Sequence, residues 1–196
     1  MVTLIIGVPD SGKSQIAEDL AMKLAGERRK YYIATMVPFG KTGQERIQKH
    51  RMQRDGKGFH TLECPMDVHT IVDQIKPDAT VLLECMSNLL GNEIYAEKNQ
   101  DVEPQELLEH VFVGVKCISK ACEHLVVVSN EFAMENPNYD EETRYYVTMM
   151  HEMNLKLRTF ADDIYEFTEG EWKHHEVHEK HDCSLFSLFK DSNANL

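Results

Sequence analysis

The sequence lacks long apolar runs and paired cysteines. No segment approaches the ~20 apolar residues that a membrane-spanning helix requires. The first apolar run, residues 2–6, has no basic segment before it and ends at a Gly-Val-Pro-Asp turn, so we expect no secretion signal. The five cysteines are odd in number and include no CxxC pair, which is typical of reduced, partly buried thiols. We therefore expect a cytoplasmic protein without a membrane span.

A general excess of basic residues is also absent, because the net charge is −12. Nucleic-acid binders usually carry a broad basic surface, so no nucleic-acid partner is expected. Six of the 21 lysines and arginines nevertheless lie between Lys41 and Lys57, around His50, where only Glu45 and Asp55 offset them. A local cationic patch on an acidic chain indicates a small anionic ligand.

The length of 196 residues and the hydrophobic content of 42% are sufficient for one domain with a buried core, predicted at residues 1–173. Strands are predicted at residues 2–6, 31–35, 59–63, 80–83 and 125–128. Helices are predicted at residues 16–24, 42–54, 68–75, 104–122 and 147–160. Residues 164–174 alternate around Glu169-Gly170 and predict an antiparallel hairpin. The expected fold is α/β, a mostly parallel sheet flanked by helices with the hairpin at one edge.

Residues 174–196 are predicted to form a polar, histidine-rich tail. The segment contains His174, His175, His178 and His181, followed by Cys183. Their spacing matches no standard zinc signature, and the segment lies at the chain end. We favour a solvated tail over a metal site.

The segment "GVPDSGKS", residues 7–14, matches the phosphate-loop pattern G-x-x-x-x-G-K-[ST]. Gly7 and Gly12 allow the backbone to curl so that its amides converge on phosphate oxygens, and Lys13 supplies a positive charge. Ser14 offers a hydroxyl to Mg²⁺, and the following helix adds its dipole. A chance match in a glycine turn is the alternative, but the predicted strand before the loop and helix after it favour a P-loop NTPase-like fold.

A second Mg²⁺ ligand is expected at the end of a neighbouring strand. Glu84 ends the apolar run "TVLLE" and is the best candidate in the sequence. An acidic residue at this place can also be a solvated strand end. Its pairing with the phosphate loop favours the metal-binding interpretation.

The predicted helix at residues 42–54 begins with Thr42 and Glu45 at capping-box spacing. Arg46, His50 and Arg54 follow at i, i+4 and i+8 and so share one face. Flanking guanidiniums would depress the pKa of the imidazole and keep it neutral, ready to act as a nucleophile. The alternative is an exposed histidine on a basic helix face without a chemical role, and spacing alone favours that alternative.

The chain resembles the bifunctional adenosylcobinamide kinase/adenosylcobinamide-phosphate guanylyltransferases of cobalamin biosynthesis. The resemblance covers most of residues 2–170, and the histidine helix is its most specific part. The stretches that carry it are "GVPDSGKS", "YYIAT", "ERIQKHRMQR" with "FHTLECP", "VLLEC" and "VVVSNE".

This resemblance implies an enzyme that phosphorylates adenosylcobinamide with ATP or GTP and then transfers GMP from GTP to adenosylcobinamide phosphate, releasing pyrophosphate. It implies that His50 becomes guanylylated, with Lys13 as the second catalytic residue and Mg²⁺ held by Ser14 and Glu84 through the nucleotide. It also implies a small homo-oligomer. The nucleotide contacts that it implies are Gly7, Val8, Pro9, Asp10, Ser11, Gly12, Lys13, Ser14, Ala34, Thr35, Met36, Arg51, Met52, Gln53, Arg54, Glu63 and Glu84.

The chain departs from the family pattern at several places. Asp10 stands where the family loop carries arginine, and "FAMENPNYDEE" replaces a glycine-containing segment after Glu131. Arg144, Tyr146 and Asn154 keep a later family pattern, from which Thr148, His151 and Leu155 depart. These changes bear on the acceptor, so two alternatives stay open: a transferase acting on a different acceptor, and a non-catalytic GTP-binding paralogue.

Overall fold

The computed structural model describes residues 1–38 and 40–176, without the side chains of seven residues of one helix: Lys41, Thr42, Arg46, Ile47, Lys49, His50 and Gln53. The described chain contains seven strands: β1 (Val2–Gly7), β2 (Lys30–Ala34), β3 (His60–Glu63), β4 (Thr80–Glu84), β5 (His124–Asn130), β6 (Asp163–Thr168) and β7 (Glu171–Glu176). Its α-helices are α1 (Lys13–Ala25), α2 (Gly40–Arg54), α3 (Met86–Ile94), α4 (Pro104–Ala121) and α5 (Glu141–Phe160). Two 3₁₀ segments, Val68–Gln74 and Glu97–Asn99, complete the described elements.

All seven strands form one sheet in the order β3-β2-β4-β5-β1-β6-β7. Every neighbouring pair is parallel except β6 and β7, which form the antiparallel hairpin at one edge. The α/β fold predicted from the alternating pattern is therefore confirmed. Parallel strands end together, so the carboxyl ends of β1, β2, β4 and β5 lie along one edge of the sheet.

Helices cover both faces of the sheet. In β1, Leu4 and Ile6 face one apolar cluster, which includes buried residues of α3, α4 and α5. Ile5 faces the opposite cluster, where α1 contributes Ile16 and Leu20. Side chains of a strand alternate between faces, so one strand that is apolar throughout fills both layers of the core.

The helices differ from the sequence expectation in several places, among them α5, which begins at Glu141, six residues before the predicted start. Helix α2 begins at Gly40, two residues before Thr42. The segment predicted as a helix at residues 68–75 is a 3₁₀ segment that follows Asp67, whose φ is +50°. Helix α3 was not predicted at all. It begins at Met86, after the N-cap residue Cys85, which makes no side-chain capping hydrogen bond.

The polar segment predicted from His174 onward overlaps β7, which contains His174 and His175. The rest of that segment, including His178, His181 and Cys183, lies outside the described residues. Within the described ranges, none of the helices combines the length and apolar content needed to cross a bilayer. The four described cysteines are free thiols, as their spacing predicts: Cys64, Cys85, Cys117 and Cys122.

Candidate functional site

The phosphate-loop segment between β1 and α1 requires glycine at two positions. Gly12 immediately precedes α1 with φ +82°, a left-handed conformation that residues with a Cβ rarely adopt. A Cβ added to Gly7 would lie 2.8 Å from the Cβ of Phe167 in β6, so a side chain does not fit there. Asp10 also has a positive φ of 59°, which Asp tolerates better than most residues. The strand–loop–helix context predicted for a phosphate loop is present.

This loop opens into a cleft of about 1010 Å³ at the carboxyl ends of the parallel strands. Helix α1 contributes its N-terminus, and α2 forms a wall through Gln44, Gln48 and Arg51. These three positions follow at i, i+4 and i+7 and so lie on one helix face. The place agrees with the general rule that ligands of open α/β sheets bind beyond the carboxyl ends of the strands.

Lys13 is buried in the loop, with 6% of its surface exposed. Its Nζ donates a hydrogen bond to the carbonyl oxygen of Val8, 2.8 Å away. Burial lowers the pKa of this ammonium, while the nearby thiol of Cys85 and the carboxyl of Glu84 act in the opposite direction. A phosphate in the cleft would supply a strong negative partner for a charge that the protein has partly desolvated.

Ser14 and Glu84 meet at the base of the cleft, where the Ser14 hydroxyl donates a hydrogen bond to Oε1 of Glu84. The other carboxyl oxygen, Oε2, is buried and has no hydrogen-bond partner among the described residues. One hydroxyl and one carboxylate are oxygen ligands of the kind that Mg²⁺ prefers when it is bound together with phosphates. The residues therefore fit a Mg²⁺ ion that accompanies a nucleotide.

Arg54, the last residue of α2, places a buried guanidinium at the cleft. Its Cζ lies 3.5 Å from the ring centroid of Tyr32 in β2, a cation–π contact. Nε and Nη1 of Arg54 are buried without a hydrogen-bond partner among the described residues. Buried guanidinium N–H groups are costly unless they are paired, so this side chain is suited to bind an anion.

The turn after α2 is held against α1 by a partly buried ion pair. Nζ of Lys57 lies 2.5 Å from Oε2 of Glu18, whose surface is 1% exposed. Burial raises the pKa of Glu18, and the hydrogen bond and charge of Lys57 oppose that rise. This contact fixes the C-terminal end of α2 beside the phosphate loop.

His50 lies in α2, one helical turn before Arg54. Its side chain, like those of Arg46 and Gln53, lies outside what the structure describes. The backbone position puts His50 between Gln48 and Arg51, both of which line the cleft. The predicted shared face of Arg46, His50 and Arg54 therefore stays a prediction.

Most of the other predicted nucleotide contacts come together at the cleft. Those that line it are Pro9, Asp10, Gly12, Lys13, Ser14, Ala34, Met36, Arg51, Arg54, Glu63 and Glu84. Gly7, Val8 and Ser11 belong to the same loop.

Two predicted contacts lie elsewhere. The Thr35 side chain is fully buried, where Oγ1 donates to the carbonyl of Cys85 and accepts from its N–H. Met52 is 71% exposed and is not among the residues that line the cleft.

Several cleft residues were not found by sequence reasoning. Tyr32, Thr61, Asn88 and Asn130 line the cleft together with the glutamines of α2. Asn130 ends β5 just as Glu84 ends β4, so the rule that selected Glu84 could have found it. Asn88 lies on α3, which was not predicted, and the contact between Tyr32 and Arg54 joins residues that are distant in the sequence.

A hydrogen-bonded network ties the second half of the chain to this cleft. Asn130 donates through Nδ2 to Oγ of Ser87, 2.6 Å away, and its carbonyl accepts from Nδ2 of Asn154 at 3.0 Å. The Tyr146 hydroxyl donates to the carbonyl of Ser87 at 3.0 Å. Two side chains that keep the family pattern in α5 therefore hold neighbouring elements in place: Tyr146 holds the start of α3, and Asn154 holds the end of β5.

Comparison with known proteins finds one family and two curated relatives that match most of this chain. The CobU family model, described as cobinamide kinase / cobinamide phosphate guanyltransferase, matches residues 3–173. The bifunctional adenosylcobalamin biosynthesis protein CobU of Salmonella typhimurium strain LT2 is 26% identical over 181 residues, which cover 87% of this chain and 97% of that protein. The protein of the same name from Escherichia coli strain K12 is 25% identical over 179 residues, again covering 87% and 97%.

Among solved structures, the ATPase domain of G40P aligns with a TM-score of 0.47 at 12% identity, over 86% of this chain and 69% of that one. The family assignment rests on the sequence match, which covers residues 3–173 and so includes the loop, α2 and the strand ends that form the cleft. The resemblance read from the motifs is confirmed: this chain belongs to the cobinamide kinase / cobinamide phosphate guanyltransferase family.

Proposed function

We propose that this chain phosphorylates adenosylcobinamide and then transfers GMP from GTP to adenosylcobinamide phosphate, which yields adenosylcobinamide-GDP. The observation that carries the proposal is the convergence of Lys13, the Ser14–Glu84 pair and Arg54 on one cleft. Such a cleft suits a triphosphate, and the chain belongs to a family named for both transfers.

In the kinase step, the terminal phosphate of ATP or GTP moves to the aminopropanol hydroxyl of adenosylcobinamide. The hydroxyl oxygen bonds to the γ-phosphorus, the bond from that phosphorus to the bridging oxygen breaks, and the hydroxyl proton is released. Lys13 and the loop amides stabilise the negative charge that collects on the bridging oxygen. Ser14 and Glu84 would hold Mg²⁺, which neutralises phosphate charge when it is bound.

In the transfer step, a ring nitrogen of His50 attacks the α-phosphorus of GTP. The bond between that phosphorus and the β-bridging oxygen breaks, so pyrophosphate leaves and a guanylyl group remains on the histidine. A phosphate oxygen of adenosylcobinamide phosphate then attacks the same phosphorus, and the bond to His50 breaks. The cations of the cleft, Lys13 and Arg54, counter the charge on the departing pyrophosphate.

The same proposal includes the substrates and the cellular location of the reaction. The partners are the nucleotide and adenosylcobinamide or its phosphate, and the site of action is the cytoplasm. A small homo-oligomer is proposed on the family resemblance alone.

The test is turnover by the purified full-length chain supplied with adenosylcobinamide, ATP, GTP and Mg²⁺. We expect Mg²⁺-dependent formation of adenosylcobinamide phosphate followed by adenosylcobinamide-GDP, each identified by mass spectrometry. GTP binding without either product would contradict the proposal and favour a non-catalytic paralogue. Guanylylated protein that turns over another phosphate acceptor, but not cobinamide phosphate, would favour the transferase of different specificity.

A further inference from the structure

A second cluster of metal-ligand side chains lies outside the nucleotide cleft. Asp67, His69 and His110 each offer one ligand atom, and these atoms all lie within 4.8 Å of one another. Nε2 of His110 is 3.0 Å from Oδ1 of Asp67. The ring of His69 packs edge-on against that of His110, with 5.5 Å between centroids. None of the three is among the residues that line the cleft.

Close packing of the first 3₁₀ segment on α4 brings the three side chains together. Val68 is buried, and its Cγ2 lies so near Gly114 that a Cβ there would be 3.0 Å away. His110 precedes Gly114 by one helical turn and so lies on the same face of α4. Asp67 and His69 flank Val68, and the contact between Val68 and Gly114 therefore holds them beside His110.

Asp67 is oriented by groups that hold its backbone N–H and its Oδ2, so that Oδ1 faces the other two side chains of the cluster. Its backbone N–H donates to Oε1 of Glu93 at 2.7 Å, and the Glu93 carboxylate is buried. Lys98 pairs with Oδ2 of Asp67 and lies 3.5 Å from Oε2 of Glu93. Oδ1 is the oxygen that faces His110. A carboxylate whose second oxygen is held by an outer group is the usual arrangement of a monodentate metal ligand.

We propose that Asp67, His69 and His110 bind a divalent transition-metal ion, of which Zn²⁺ fits best. Two imidazoles and one carboxylate form a ligand set that suits zinc, with solvent as the fourth ligand, and that does not suit Mg²⁺ or Ca²⁺. Binding involves no change of oxidation state, and each imidazole gives up its proton if it carries one on the ligating nitrogen. The ion joins the segment after β3 to α4 and is distinct from the Mg²⁺ expected with the nucleotide.

Zinc titration in competition with a chelating indicator dye tests the proposal on the full-length chain. The variants are His69→Gln and His110→Gln, and the matched control is His60→Gln, an exposed histidine on β3 outside the cluster. We expect the wild type and His60→Gln to bind one more equivalent of Zn²⁺ than the two cluster variants. The Asp67→Asn variant should bind that additional Zn²⁺ ion with an affinity at least about tenfold lower. Equal stoichiometry and affinity in all the proteins would overturn the proposal.

The histidines of residues 174–181 can also bind zinc, so a residue-resolved measurement is needed. Diethylpyrocarbonate modifies accessible imidazoles, and mass spectrometry locates each modified residue. One equivalent of Zn²⁺, added at a concentration above the dissociation constant of the cluster, should protect His69 and His110 from modification. His60 should stay reactive. Modification of His69 and His110 that is unchanged by Zn²⁺ would overturn the proposal, whatever the total stoichiometry.

Discussion

The guanidinium of Arg54 stacks on the ring of Tyr32, with Cζ 3.5 Å from the ring centroid. This contact joins the end of α2 to the second strand and leaves two guanidinium nitrogens buried without partners among the described residues. A cation in this state lowers the stability of the unliganded protein but is prepared for an anionic ligand. Removal of the Arg54 guanidinium should therefore affect nucleotide affinity and the stability of the unliganded protein in different ways.

Replacing Arg54 by methionine is expected to leave the unliganded protein within about 1 kcal/mol of wild-type stability, because the lost cation–π contact offsets the relief of desolvation. Nucleotide affinity should fall at least about tenfold, since a charged hydrogen bond is lost. Urea unfolding and calorimetric titration with MgGTP measure the two effects. Arg28→Met, at an exposed arginine paired with Glu123, should not change affinity. Unchanged affinity combined with a large loss of stability would instead assign Arg54 a structural role.

Replacing Glu84 by glutamine keeps the size of the side chain and its capacity to accept a hydrogen bond from Ser14. The negative charge that faces Mg²⁺ is lost, so kcat/KM for MgGTP should fall by about a hundredfold, with a higher Mg²⁺ requirement. Activity measured across a Mg²⁺ titration checks this. Glu171→Gln, at an exposed glutamate of β7, is the control. An unaltered Mg²⁺ dependence in Glu84→Gln would exclude Glu84 as a metal ligand.

Replacing Lys57 by methionine leaves the buried carboxylate of Glu18 without its cation. We expect a loss of about 3 kcal/mol or more in the free energy of unfolding near pH 8. Lys173→Met removes an exposed pair with Glu169 and should cost under about 1 kcal/mol. The double variant Glu18→Gln/Lys57→Met should be more stable than Lys57→Met alone. Equal costs for the Lys57 and Lys173 variants would show that the Glu18 pair does not stabilise the fold.

The cost of Lys57→Met should also depend on pH. Burial raises the pKa of Glu18 above its ordinary value of 4.5, so the folded state binds this proton more tightly than the unfolded state does. The contribution of Glu18 is therefore complete below pH 4.5 and is lost as the pH rises through the raised pKa. Loss of Lys57 raises that pKa further. Unfolding at about pH 5 and about pH 8 should show the smaller penalty at the lower pH, and a larger penalty there would contradict this.

The sheet was predictable because its signals are local. The apolar runs of β1, β4 and β5 are buried on both faces, and the turn at Glu169-Gly170 separates two alternating segments. The phosphate loop carries its own pattern between a strand and a helix. The predictions of the sheet and of the strand–loop–helix context of the phosphate loop, which depended on neighbouring residues in sequence, were accordingly confirmed.

The features that were not predicted from the sequence depend mostly on contacts between distant residues. Helix α3 is only nine residues long and contains Gly91 and Asn92, both poor helix formers, so its pattern is weak. Asn92 instead donates to the carbonyls of Thr35 and Pro65, at 2.7 and 2.9 Å. Glu18 was not singled out from the sequence, and its burial depends on the pairing with the distant Lys57.

The proposed guanylylation of His50 can be measured by intact-protein mass spectrometry after incubation with MgGTP. The wild type and His60→Ala should each gain one guanylyl group, which acid removes because a phosphorus–nitrogen bond is acid-labile. His50→Ala should gain none while it still binds GTP. Wild-type protein that binds MgGTP without any gain in mass, or a His50→Ala variant that is labelled as fully as the wild type, would rule out His50 as the guanylylated residue.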